Sequence, residues 1–486
     1  MRVLMILPAL TEAVSPFFRP IKYSLFPPLG LASLASHFDP GRDDIEIIDE
    51  HTMSPVRTEG GFEPRPDLVV IQTYITNAKR SYRIADYFRS QGVRVALGGL
   101  HATSLPEEAA LHTDHLFLGP GDATFPEFIS DLRHGHPRLV YDSRAKPRTL
   151  AGLPPVRRDL IKRDLYLVPN SIVVTRGCPH HCNFCYKDAF FEGGRGSYTQ
   201  PVDDALAELE RLPGKHLYFL DDHLLGHQRF ATALFDGMRG MGRLFQGAST
   251  VDAILRGNLI EQAVEAGLRS IFVGFESIRD EGLQGSNKRQ NLGRDYREAV
   301  RRLDSLGVMV NGSFVFGLDG DDARVFDQTV DWAIDCGITT ATFHIATPYP
   351  GTAFYKQIER AGRLRTTNWD LFDTRHAVFE HPSLSADELE SGYWRSYRRF
   401  YSMGSIARGS LRHCSALQGL KHFGYAVGWK RLEPAWNLLI RARQLHAGRR
   451  GLERWLDLGG QPPATAGLSS QAPETVPLSM SARRHA

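Results

Sequence analysis

The first thing this chain lacks is a long apolar run. No stretch approaches the roughly 18 apolar residues of a membrane-spanning helix, which argues against a membrane span. It also lacks an excess of one charge. Lys and Arg number 58 against 55 Asp and Glu, a formal net charge of +3. So small an imbalance over 486 residues argues against a nucleic-acid partner. Cysteine is scarce, at five residues. The opening Met1-Arg2-Val3-Leu4-Met5-Ile6-Leu7-Pro8 is too short an apolar run for a signal peptide and reads as a first strand. These features predict a cytoplasmic location. In that reducing compartment clustered thiols mean metal or redox chemistry rather than disulfides. The hydrophobic share of 42% and charged share of 23% are those of an ordinary globular chain, here long enough for two or three domains.

Three of the five cysteines, Cys178, Cys182 and Cys185, fall at C-x3-C-x2-C spacing just after the β-branched run Ser171-Ile172-Val173-Val174. Thiolates that close together on a loop suit a soft metal centre. Three ligands are one short of the four that a structural zinc or a fully protein-ligated iron–sulfur cluster takes. An open coordination position is what a reactive centre needs. A structural zinc completed by His180, His181 or a distant side chain is the competing reading, weakened because zinc loops usually present ligands as two close pairs. Cys336 and Cys414 lie far off and read as inert buried thiols.

Residues 1–145 alternate β-rich runs at 3–7, 45–48, 68–71, 93–97 and 115–118 with helical periodicity at 30–37, 78–91 and 125–132. That alternation predicts an α/β fold with a Rossmann-like parallel sheet. Strands ending in Gly98-Gly99 and Gly119-Pro120-Gly121 would put glycine where open parallel sheets bind ligands, and glycine lets a ligand approach the backbone closely. Residues 146–170, rich in Pro, Arg and Lys, read as a linker. From 171 to 350 six more strands are expected, at 171–174, 216–220, 247–251, 270–275, 308–316 and 340–345, separated by helices at 203–211, 228–238, 259–266, 295–306 and 323–335. This predicts a partial (β/α)6 barrel of TIM type, with the cysteine loop at its carboxyl end, where barrel enzymes place their chemistry. Residues 351–457 predict a mostly helical subdomain after Ala386. Its aromatics Trp394, Tyr397, Phe400 and Tyr401 either pack on the barrel or wall a pocket for a flat or greasy substrate. Residues 458–486, with Gly, Pro, Ser and Ala but no periodicity, predict a disordered tail.

The cysteine loop, with Phe184 at the aromatic position before the last cysteine, resembles the signature of the radical S-adenosylmethionine enzymes. The resemblance implies a [4Fe-4S] cluster held by Cys178, Cys182 and Cys185, its fourth iron chelated by the amino and carboxylate groups of S-adenosylmethionine. In that family the reduced cluster cleaves this cofactor to a 5′-deoxyadenosyl radical, which a barrel shields from solvent. Other stretches are similar to the same family. In Leu220-Asp221-Asp222-His223, Asp221 and Asp222 either meet the methionine ammonium or serve as a helix cap. In Val273-Gly274-Phe275-Glu276-Ser277, Glu276 is either a polar contact to the cofactor or an ion pair with a neighbouring Arg or Lys. The stretch from Asn311 to Gly317 resembles the strand near the adenine, which makes Asn311 and Ser313 cofactor-contacting candidates. Thr347-Pro348-Tyr349-Pro350-Gly351-Thr352 is frequent in one branch of the family.

The amino-terminal unit narrows that branch. Phe26-Pro27-Pro28-Leu29-Gly30-Leu31, Gly98-Gly99-Leu100-His101-Ala102-Thr103 and Gly119-Pro120-Gly121-Asp122 resemble the cobalamin-binding domain fused ahead of these barrels, although Asp122 stands where glutamate is commoner. Cobalamin contacts are thereby implied at Thr73, Tyr74, Gly98, Gly99, His101, Gly119 and Gly121. Asp49-Glu50-His51 looks like the start of the cobalt-ligating Asp-x-His-x-x-Gly motif, but Ser54 replaces the glycine. His51 therefore reads as a loop histidine, and no lower histidine ligand is expected.

Cobalamin beside a radical-generating cluster implies methylation of an unactivated carbon in a small molecule, a lipid or a tetrapyrrole-like metabolite. Radical cyclisation or rearrangement without net methyl transfer is the alternative. A non-catalytic sensor is a further one, against which the intact cysteine triad speaks. The family resemblance also implies an external electron donor such as flavodoxin or ferredoxin. Tyr186, His344 and Tyr349 are the candidate catalytic residues on the substrate side. Arg375-His376 are further pocket candidates, and residues 190–196 read as a loop able to close over the site.

Overall fold

The computed structural model describes residues 1–10, 25–191, 197–442 and 444–457. The expected disordered tail at 458–486 and most of the expected closing loop, 192–196, lie outside the described residues.

Two six-stranded parallel sheets organise the chain. The first contains β1 (Arg2–Leu7), β2 (Asp44–Asp49), β3 (Leu68–Gln72), β4 (Arg94–Gly98), β5 (His115–Leu118) and β6 (Val140–Asp142), in the order β2-β1-β3-β4-β5-β6. Leu68, Val69, Val70 and Ile71 are all buried, as are Val3, Leu4, Met5 and Ile6. A parallel sheet covered by helices on both faces demands such unbroken apolar runs. The chain leaves β1 toward β2 and then crosses to β3 on the other side. That reversal makes the gap between β1 and β3 a topological switch point, where open parallel sheets leave a crevice beyond their carboxyl ends. Strand β6 is absent from the strands expected above. It has three residues, of which only Tyr141 is buried, too short for periodicity to register.

The second sheet runs in sequence order through β7 (Ser171–Ile172), β10 (His216–Phe219), β11 (Leu244–Ser249), β12 (Leu268–Glu276), β13 (Met309–Phe316) and β14 (Thr340–Ile345). Between β7 and β10 a short antiparallel pair, β8 (Thr175–Arg176) and β9 (Tyr198–Thr199), flanks the cysteine loop. The strand expected at 247–251 begins earlier, at Leu244, and ends at Ser249 because Val251–Leu255 turns into a helix. β7 is shorter than expected for a different reason. The amides of Val174 and Thr175 donate to the Asp221 carboxylate and leave the ladder.

Beyond the sheet, helix Ala386–Phe400 starts at a capping box between Ser385 and Glu388. Its aromatics seal the free edge of β14. The Tyr397 hydroxyl accepts from the Phe343 amide at 3.1 Å, and the Tyr401 hydroxyl accepts from the Ala341 amide at 3.1 Å and donates to its carbonyl at 2.9 Å. An exposed strand edge would otherwise invite pairing with another chain. Trp394, by contrast, faces solvent. Among the described residues no helix is long and apolar enough to cross a membrane.

The core of the second sheet is aromatic. Phe314 is fully buried, with its ring centroid 5.5 Å from Phe275 and 5.8 Å from Phe343. Phe314→Ala should destabilise the protein by about 3–5 kcal/mol, read from the urea-unfolding transition. A loss below about 1 kcal/mol would contradict this packing.

Candidate active site

The cysteine loop leaves β8 and ends in the short helix Lys187–Phe190. It carries no regular structure, so its backbone must find partners elsewhere. The Asp222 carboxylate accepts from the Gly177 amide at 3.0 Å and from the Tyr186 hydroxyl at 2.8 Å. On the far side, the Asn183 amide donates to the Ser286 carbonyl at 3.0 Å and its side chain to the Gly285 carbonyl at 2.7 Å. Asn287 reaches the His181 carbonyl at 2.5 Å. The loop is thus clamped between the segment after β10 and the end of helix Asp280–Gly285 before any metal arrives.

All three thiols are free. Burial pushes Cys178 up to about 11 and Cys185 up to about 12, and raises Cys182 as well. Such thiols become thiolates when a cationic centre takes them as ligands. Among the described residues no three His, Cys, Asp or Glu side chains converge on one ion. A structural zinc site needs four ligands that meet at a single point. The two histidines of the zinc alternative point to other partners. His180 stacks on His223 with centroids 5.7 Å apart, and His181 Nδ1 lies 3.6 Å from Asp188.

A cavity of about 890 Å³ lies between the carboxyl edges of the two sheets. Gly98, Gly99, Gly119 and Gly121 line it from the first sheet, and Asp222 and Tyr186 from the second. Gly99 and Gly119 are sterically required. A Cβ on Gly99 (φ +114°) would stand 2.7 Å from the Thr73 carbonyl, and one on Gly119 (φ +75°) 2.8 Å from the Ser143 hydroxyl. Thr73 lies beneath this wall, fully buried, and its amide donates to the Gly98 carbonyl at 2.7 Å. Tyr74 and Tyr186 stand between this space and a smaller cavity of about 340 Å³, lined also by His101, Tyr349, Phe372 and Thr374.

Other expected residues lie elsewhere. Asp221 is buried behind the loop and is absent from the wall of either cavity; burial pushes its carboxyl up to about 7 against the pull of the Thr175 and Val174 donors. His101 borders the smaller cavity, its Nε2 3.0 Å from Glu108, rather than the glycine edge. Asn311 sits near the start of β13, bonded to Ser270 at 2.9 Å and to Thr340, and lines a cavity at the opposite, amino end of the sheet. Ser313, two residues on, is buried in register with Gly274 and Thr342. His344 pairs with Thr374 at 3.1 Å, and Phe184 is half-buried on the loop itself. His51 is buried, with Nδ1 2.9 Å from Asp49.

Glu276 stands at the end of β12 with φ +63°, and its carboxylate meets the Lys288 ammonium at 2.5 Å. Both side chains are nearly buried, at 11% and 7% exposed. Lys288 is a site residue that sequence reasoning did not single out. It lies in a polar loop with no periodicity, so only the expectation of some basic partner for Glu276 pointed toward it. Arg176 was missed in the same way; its guanidinium pairs with Asp122 across the large cavity's rim.

Comparison with known proteins agrees with this geometry. The family model of the Radical SAM superfamily matches residues 172–333, which include the cysteine loop and Glu276. Residues 172–333 thus carry a domain of this superfamily, whose fold uses a [4Fe-4S] cluster and S-adenosylmethionine. The chain is 29% identical over 390 residues to bacteriochlorophyllide d C-12(1)-methyltransferase of Chlorobaculum tepidum, a match covering 78% of this chain and 82% of that protein. Its fold is that of two cobalamin-bound radical enzymes. TsrM from Kitasatospora setae superposes with a TM-score of 0.58 at 15% identity, over 91% of this chain and 99% of that one. OxsB superposes with a TM-score of 0.63 at 14% identity, over 90% of this chain and 72% of that one.

Two outcomes follow for the cluster-free protein. Lys288→Met strands the Glu276 carboxylate and should cost about 3–5 kcal/mol, whereas the double variant Glu276→Gln/Lys288→Met should recover most of that in urea titrations. Equal losses would contradict a coupled pair. The Asp221 carboxyl binds its proton more tightly folded than unfolded, so its stabilisation is present near pH 4 and is lost as pH rises through about 7. Asp221→Asn should flatten the stability–pH curve over that window, and an unchanged slope would refute it.

Proposed function

We propose that this protein is a cobalamin-dependent radical S-adenosylmethionine enzyme that methylates an unactivated carbon of a small, largely apolar metabolite. One observation carries the reading. The glycine edge of the first sheet and the cysteine loop of the second border a single cavity.

In this reading residues 1–145 form a cobalamin-binding Rossmann-like domain, 146–170 a linker, 171–350 a partial (β/α)6 barrel and 351–457 a helical subdomain. Cys178, Cys182 and Cys185 would hold the cluster. Glu276 and Lys288, whose charges reach Cys182, offer one carboxylate and one ammonium to the zwitterionic methionine end of the cofactor. Gly98, Gly99, Gly119 and Gly121 line the cavity and offer bare backbone against which a broad planar macrocycle lies. When bound, the cluster with S-adenosylmethionine supplies one-electron chemistry, and the corrinoid supplies a methyl group. The chain's own task is to exclude water and to orient. Asp222 fixes the Tyr186 ring through its hydroxyl, and Tyr186 with Tyr74 divides the large cavity from the small one. That smaller cavity, walled by Tyr349, Phe372 and Leu100, takes the substrate. Its chiefly apolar wall suits a ring system or lipid, as does the relative that acts on a bacteriochlorophyllide. A flavodoxin- or ferredoxin-type donor would deliver the electron.

Anaerobic reconstitution with iron, sulfide, cobalamin, S-adenosylmethionine and a reductant tests the proposal. The wild type should release both 5′-deoxyadenosine and S-adenosylhomocysteine, and Cys178→Ala/Cys182→Ala/Cys185→Ala should release no 5′-deoxyadenosine. Release of 5′-deoxyadenosine without any S-adenosylhomocysteine would contradict methyl transfer.

A further inference from the structure

A third cavity, of about 640 Å³, opens at the amino ends of the second sheet. It lies at the end opposite the cysteine loop. His216, Leu244, Met309 and Thr340, the first residues of β10, β11, β13 and β14, form its rim. Helix Ala416–Ala426 and the turn after it cover the opening.

The walls are aromatic. Phe26 meets Tyr218 edge-on with centroids 4.5 Å apart, and Tyr425 lies parallel to Trp429 at 6.4 Å. The neutral polar groups within are largely paired with one another. Gln246 donates to the Tyr218 hydroxyl at 3.3 Å, and Asn311 bridges Ser270 and Thr340. The charges are different. Arg269 and Lys421 both line the cavity, and neither has a carboxylate within 4.0 Å among the described residues. Among the described residues Arg269 donates through Nη1, to the Val264 and Leu268 carbonyls at 3.1 and 2.8 Å. Glu265, the carboxylate on the lining, is taken by Arg239 at 2.9 Å. Two half-buried cations thus stand near each other, neither paired with a carboxylate among the described residues. Burial and the Arg269 charge both pull the Lys421 ammonium below its ordinary range, a condition that a bound anion reverses.

We propose that this cavity is a second ligand site, for an amphipathic molecule with an oxyanion head. The aromatic walls take the apolar body, and Arg269 with Lys421 take the carboxylate or phosphate. A guanidinium offers two parallel donors to such a head and an ammonium a compact charge. The volume falls within the range of small-molecule sites. Binding here is separate from the chemistry at the carboxyl edge, so Cys178→Ala should bind the same ligands as the wild type.

The test uses the full chain loaded with cobalamin, so that the carboxyl-edge cavity is filled. 1-Anilinonaphthalene-8-sulfonate reports occupancy by fluorescence, and dodecanoate, dodecyl phosphate and the neutral control dodecanol compete for it. Besides any binding in the smaller cavity, one saturable site is expected from which at least one of the two anions displaces the probe about tenfold more tightly than the alcohol. The tighter anion identifies the head group. Arg269→Met/Lys421→Met should lose that preference while keeping dodecanol affinity and S-adenosylmethionine cleavage. Arg269→Lys/Lys421→Arg should retain it, which separates charge from fold. Displacement by dodecanol equal to that by both anions, undiminished anion preference in the methionine variant, or no saturable binding would each overturn the assignment.

Discussion

Two adjacent carboxylates at the end of β10 set the geometry on which the rest depends. Asp221 reaches back and takes the amides of Val174 and Thr175. Asp222 reaches forward and takes the Gly177 amide and the Tyr186 hydroxyl. The first contact ends β7 after two residues, since amides bonded to a carboxylate cannot continue the ladder. The second bends the released chain over the sheet's carboxyl edge. Between the two anchors runs the loop of Cys178, Cys182 and Cys185, whose thiols sit where burial favours their neutral form. Only a cationic partner turns them into ligands.

That bend also decides what faces the loop. The first sheet reverses its winding at β1 and leaves a crevice beyond β1, β3 and β4. The connector brings this crevice opposite the second sheet's carboxyl edge, and the Tyr166 hydroxyl donates to Asp49 at 2.9 Å to tie the connector down. The Arg176–Asp122 pair joins the two edges directly. Two adjoining cavities result, with Tyr74 and Tyr186 standing between them. The helix carrying Tyr397, with Tyr401 at its C-cap, works from outside by closing the edge at β14.

Much of this was legible in the sequence, for physical reasons. Parallel strands buried on two faces must be continuous apolar runs, so most were found within a few residues. Glycines at strand ends announced the cavity wall, and the triad's spacing announced the loop. The remainder depended on distances that sequence does not encode. A three-residue strand such as β6 has no period to detect. Asp221 and Asp222 are neighbours of one type, and only the fold tells that one faces the cavity and the other the backbone. Asn311 and Ser313 share one strand, yet two positions of rise put Asn311 at the wrong end of the sheet for the cysteine loop. Lys288 finds Glu276 across a loop, and no spacing rule reports such a meeting. The aromatic stripe after Ala386 could serve a core or a pocket, and the hydrogen bonds of Tyr397 and Tyr401 to β14 give it a packing role.

The central claim is that one cavity, between the glycine edge and the cysteine loop, holds a corrinoid next to the cluster. Anomalous diffraction at the cobalt and iron edges, from crystals of the anaerobically reconstituted protein, tests it most directly. The cobalt peak should fall inside that cavity, beside Gly98, Gly99, Gly119 and Gly121 and on the same side as Tyr186, with the iron peaks at the three cysteines. A cobalt peak at the amino ends of the second sheet, or iron at the cysteines with no ordered cobalt, would contradict it.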